Sequence, residues 1–73
     1  MLTKEEQKLI HSAMDKSDYT HMGHPRYLDL ERITDDVLAA KRLNGDKKLI
    51  RVRLVSQEER YPPHNNYEYT FAK

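Results

Sequence analysis

The sequence predicts an α+β domain: two amphipathic helices followed by an antiparallel β-hairpin with a long loop. Three observations carry that expectation. A helix-start signature at Thr3 and Glu6 precedes apolar residues at helical spacing, and a second helical period runs from Leu30 to Ala40. Two later segments, Ile50 to Leu54 and Tyr67 to Phe71, alternate apolar and polar residues as half-buried strands do.

The first helix is expected over residues 3–17. Thr3 and Glu6 stand three apart, the spacing at which each side chain satisfies the other's orphan backbone N–H. Leu9, Ile10, Ala13 and Met14 then share one face, with Lys4, Lys8 and Lys16 free to lie toward solvent. Residues 18–28 hold Gly23 and Pro25; the proline lacks a backbone donor and biases His24 away from helical angles, so a loop is predicted.

From Asp29 as N-cap, Leu30, Ile33, Val37 and Ala40 recur with a helical period, and Asn44 with Gly45 marks a left-handed stop after Leu43. Tyr27 to Ile33 also partly alternates. A short extra strand near residues 26–30, with the helix starting at Thr34, is therefore the alternative. In the first strand Ile50, Val52 and Leu54 face inward and Arg51 and Arg53 outward. In the second, Tyr67, Tyr69 and Phe71 alternate with Glu68 and Thr70, so Glu68 is expected across from Arg51 or Arg53. Two prolines prevent Tyr61 to Asn66 from continuing the ladder.

A chain of 73 residues buries only about 60 to 65% of the surface its unfolded form exposes, which implies one domain, residues 1–73, with a thin core. Hydrophobic residues make up 37% and charged residues 34%, but the signs nearly cancel at +1, which favours a folded chain over a self-repelling coil. Without cysteine, neither a disulfide framework nor a thiolate metal site is available, which points to a reducing compartment and a cytoplasmic location. The longest apolar run, Val37 to Ala40, falls far below the roughly 18 residues of a membrane span, and no signal-peptide stretch opens the chain. No membrane role is expected.

Charge is unevenly placed. Residues 1–40 carry five Lys or Arg against eight Asp or Glu, net −3; residues 41–60 carry seven against three, net +4. Lys41, Arg42, Lys47, Lys48, Arg51 and Arg53 form a basic band, with Arg60 beyond it, that folding could gather into one patch. Asp15, Asp18, Asp29, Glu31, Asp35 and Asp36 are the counterweight. Complementing a helix dipole accounts for Lys41 and Arg42 but says little about Arg51 and Arg53.

No catalytic residues, metal site or cofactor are expected. Ser12, Ser17 and Ser56 lack a nucleophile-elbow context, Gly23 and Gly45 are too far apart to cradle a phosphate, and the acid pairs Glu5/Glu6, Asp35/Asp36 and Glu58/Glu59 do not converge. His21 and His24, with His11 and His64 elsewhere, make only a weak zinc signal without cysteine. His11 and Asp15, four apart, read as a surface helix pair. Tyr67, Tyr69 and Phe71 could stack on single-stranded bases, but a thin-cored domain with six aromatics needs those rings inside.

Tyr61, Pro62, Pro63 and His64 form a stiff, apolar loop that loses little entropy on docking and is a second candidate contact. The expected function is a small non-enzymatic regulator that binds a larger protein complex. The alternative is a direct nucleic-acid-binding domain using the basic band 41–53, whose low overall charge makes nucleic acid a secondary contact. A helix-turn-helix is disfavoured because about ten residues separate the helices instead of three or four. In size, absence of cysteine and split charge, the chain resembles accessory regulators of phages and mobile elements, which bind host machines such as RNA polymerase. That likeness covers no motif and carries over no residues; it implies a modulator of host transcription machinery.

Overall fold

The computed structural model describes residues 2–17, 25–58 and 64–73. Helix α1 (Lys4–Met14) and helix α2 (Arg26–Leu43) precede strands β1 (Leu49–Glu58) and β2 (His64–Phe71), which form one antiparallel two-stranded sheet. The α+β arrangement is the one the sequence predicts.

At the start of α1 both halves of the capping box are present. The Glu6 N–H donates to Thr3 Oγ1 at 3.1 Å, and the Thr3 N–H donates to Glu6 Oε1 at 2.9 Å. Glu6, Ile10, Ala13 and Met14 are buried, a single stripe at helical spacing. The helix stops at Met14 instead of residue 17. Beyond it, Lys16 N–H donates to the Ala13 carbonyl and Ser17 N–H to the Met14 carbonyl, tighter turns of the kind that close a helix end.

Helix α2 starts three residues before the expected N-cap. Pro25, at φ −63° and ψ 127°, caps it, because a fixed φ and a missing donor cost nothing at a helix start. Asp29 lies inside the first turn and is buried. The alternative strand near residues 26–30 is not formed: Ile33 and Val37 continue the buried stripe of Asp29 at i+4 and i+8, while Glu31 and Asp35, which a strand would place on the same face, are exposed, as a helix requires. Of the expected loop over residues 18–28, residues 18–24 lie outside the described residues, and 26–28 are helical.

The hairpin is longer than its alternation suggests. Its register pairs Val52 with Tyr69, Arg53 with Glu68 and Leu54 with Tyr67, then continues through Gln57 with Asn65 to Glu58 with His64. His64, Asn65 and Asn66 therefore belong to β2 and not to the loop; none of the three is a proline, so each has a backbone N–H to give to the ladder. Two register shifts, between Leu49 and Arg51 and between Leu54 and Ser56, each insert one extra residue. The first reverses an expectation: Ile50 turns out to solvent at 51% exposure and Leu49 turns inward, fully buried.

Leu2, Ile10, Met14, Ile33, Val37 and Leu49 make the core, with Val52, Tyr67, Tyr69 and Phe71 packed against it. The aromatic face of β2 is thus core-facing. Each fully buried Ile or Leu contributes roughly 1.5 to 3 kcal/mol. Among the described residues, no helix is long and apolar enough to cross a membrane.

Candidate functional site

One carboxylate positions the basic band. Glu6, fully buried, accepts the Leu49 N–H at 2.9 Å and both oxygens lie 2.9 Å from the Lys41 Nζ. It therefore ties the N-terminus of α1 to the C-terminus of α2 and to the first residue of β1. Burial by itself would raise the Glu6 carboxyl, but donation from the Thr3 and Leu49 N–H groups and from the Lys41 ammonium outweighs it and brings the value from 4.5 down to about 2.

The chain between those anchored ends turns sharply. Gly45 N–H donates to the Arg42 carbonyl at 3.2 Å and Asp46 N–H to the Lys41 carbonyl at 2.8 Å, the two bonds of a Schellman stop. Gly45 has φ +71°, as the Asn-Gly signal predicts, and Asp46 is also left-handed at φ +59°.

Within this frame the six cations of the band separate. Lys41 is only 15% exposed and belongs to the Glu6 pair. Lys48 pairs with Glu5 on the surface, which lowers the Glu5 carboxyl and raises the Lys48 ammonium. Arg53 reaches Glu68 across the strands at 3.4 Å. Arg42, Lys47 and Arg51 are exposed and form no ion pair among the described residues. Lys73 joins them, because the Ala72 N–H donates to the Lys48 carbonyl at 2.8 Å and holds the end of β2 against the connection. Leu43, 88% exposed, and Ile50 stand among these cations.

Lys73, Leu43 and Ile50 were not candidates in the sequence reading. The hairpin register would have found Lys73, since pairing Leu49 with Phe71 puts Lys48 opposite Ala72. Of the loop candidate, Tyr61, Pro62 and Pro63 lie outside the described residues, and His64 is the half-buried first residue of β2.

Asp15, Asp29 and Asp36 of the acidic half are engaged elsewhere. Buried Asp29 accepts from Arg32 Nε and Nη2 at 3.2 and 3.0 Å, from Asn65 Nδ2 at 3.3 Å and from the Tyr67 hydroxyl at 3.3 Å. Arg32 also donates to the Asn65 carbonyl at 2.7 Å and pairs with Asp36. This network ties α2 to β2. Nearby, the half-buried Tyr69 hydroxyl is pushed up to about 12 by burial and by the Asp36 carboxylate.

Asp15 does not pair with His11: Arg26 from α2 takes Asp15 at 2.6 Å and sets its other nitrogen 3.3 Å from His11 Nδ1 and 3.2 Å from the His11 carbonyl. His21 and His24 lie outside the described residues, and among the described residues no cluster of three potential metal ligands forms.

Comparison with protein-family models, with curated proteins and with solved structures returns no match to this chain.

Proposed function

We propose that this chain is a small non-enzymatic regulator that docks its basic end on an acidic face of a larger protein complex. The observation that carries this reading is the mixture at that end: Arg42, Lys47 and Arg51 without carboxylate partners among the described residues, interleaved with exposed Leu43 and Ile50. Exposed aliphatic side chains among cations suit a protein interface, whose centre is apolar and whose rim is charged. They offer nothing on which a base could stack. The Schellman turn and the Glu6 tie hold that end in one geometry, which lowers the entropy lost on docking.

Size, absence of cysteine and split charge support the finer reading of a phage-type modulator acting in the cytoplasm on host transcription machinery such as RNA polymerase. A second reading, direct binding of nucleic acid, is favoured by Lys73 joining the three free cations. Four phosphate contacts would give a log–log salt slope of roughly −3 to −4 on duplex DNA.

Affinity capture from a native lysate, with and without nuclease, separates the two. A protein complex retained after nuclease treatment and lost with Lys47→Glu plus Arg51→Glu is the expected result. Capture untouched by that double reversal sinks the basic-end reading, and capture abolished by nuclease together with the steep salt slope favours nucleic acid.

A further inference from the structure

The turn that ends α2 contains a reactive dipeptide. Of the asparagines in the chain, Asn44, Asn65 and Asn66, Asn44 alone precedes a glycine. An asparagine deamidates when the backbone nitrogen of the next residue attacks its side-chain Cγ. A side chain on that next residue obstructs the approach, and glycine has none. Asn65 and Asn66 precede larger residues, lie in the β2 ladder, and hold their side-chain nitrogens on Asp29 and on Ser56 and Glu58.

Asn44 and Gly45 are exposed, and nothing lies within 4 Å of the place a Cβ would take on Gly45. What holds them is the turn itself. The Asn44 N–H donates to the Ala40 and Lys41 carbonyls at 3.1 Å and its side-chain Nδ2 to the Ala40 carbonyl at 2.7 Å, beside the two bonds of the Schellman stop. In this closed turn the Gly45 N–H is engaged by the Arg42 carbonyl and Asn44 keeps a near-helical ψ of 20°, so attack requires the turn to open. Every one of those bonds joins residues between 40 and 46, on an exposed helix end. Opening is therefore local and leaves the Glu6 tie, the core and the hairpin in place.

We propose that Asn44 is a deamidation site, reacting from a locally opened α2 stop with water as its co-reactant. The Gly45 nitrogen bonds to the Asn44 Cγ and the Cγ–Nδ2 bond breaks. The amide nitrogen leaves as ammonia, carrying the proton that Gly45 gives up, and a cyclic imide remains. Water then opens that ring at one carbonyl or the other, which yields aspartate or isoaspartate and a new negative charge.

The product cannot keep the stop. A carboxylate has no N–H for the Ala40 carbonyl, and it faces the negative end of the helix dipole. Isoaspartate also inserts a methylene into the backbone, which displaces the Gly45 and Asp46 donors from their carbonyls. On the docking reading above, on which this consequence rests, both products place a carboxylate between Arg42 and Lys47 and loosen the rigid end. The modification then limits how long a chain can dock.

Peptide mapping of the folded full chain at mildly alkaline pH tests this, with the chain in denaturing urea as reference. Asn44 is expected to convert to a mixture of aspartate and isoaspartate while Asn65 and Asn66 persist. Its rate should change by less than about twofold across sub-denaturing urea, because a local opening exposes little surface. An Asn44 that survives while the unfolded reference converts overturns the proposal, and so does a rate that climbs with urea in step with global unfolding. Amide exchange is the second arm: Gly45 and Asp46 should exchange several-fold faster in Asn44→Asp than in the wild type, and equal rates would show that the stop tolerates the product. Neither arm uses a partner. A wild type that captures no protein fails the docking reading alone, whereas capture by Asn44→Asp equal to the wild type's overturns the limit on docking.

Discussion

At Glu6, donors from three elements converge on a single buried carboxylate, and its energetics are legible from its neighbours. Its folded value of about 2 lies below its ordinary 4.5, so its contribution is complete above pH 4.5 and is lost as pH falls toward 2. The size of that shift corresponds to about 3 kcal/mol. Glu6→Gln should cost a similar amount at pH 7, about 3 kcal/mol, because it leaves the largely buried Lys41 ammonium without its counter-charge. Urea midpoints at pH 7 and pH 3 check both statements: the wild type should lose stability between them, and the variant should lose much less. In the sequence Glu6 is visible only as half of a capping box. Its partners at 41 and 49 stand 35 and 43 residues away, and no local pattern encodes them.

Among the elements, the helices were legible and their ends less so. Apolar spacing identifies both, because one buried stripe per helix is a local property of the chain. The start of α2 was misplaced because Asp29 has the chemistry of a cap but is drawn instead into a network with Arg32, Asn65 and Tyr67. That network is the seam between α2 and β2. Tyr67→Phe removes one donor to a carboxylate that keeps its other partners, so it should cost about 1 kcal/mol in equilibrium unfolding. A loss near zero would show that the hydroxyl gains as much from water. The hairpin's alternation was also legible, but its bulge was not: a bulge is chosen by which residue fits the core, and at Leu49 the Glu6 acceptor fixes that choice.

For the whole molecule, stability should be graded from the Glu6 tie outward. Leu49 is fully buried with its N–H on a buried carboxylate, whereas Val55 to Glu58 are exposed throughout. Amide exchange should therefore be slowest at Leu49 and the inward face of α1, and faster by orders of magnitude at Gln57 and Glu58. NMR exchange rates check this; uniform protection along β1 would contradict it. The same tie decides which charges face outward. Read as a list, Lys41 to Arg53 is one basic band, but folding draws Lys41 inside, sets carboxylates beside Lys48 and Arg53, and adds Lys73.

By itself the sequence determined the two helices, the hairpin, the capping box, the left-handed stop at Gly45 and the segregation of charge, since each depends on residues a few positions apart. Only the tertiary structure decided which cations of the band stay without a carboxylate partner among the described residues and which strand residue turns inward. Those outcomes depend on contacts between residues 15 to 43 positions apart, and periodicity within a segment carries no record of what packs against it.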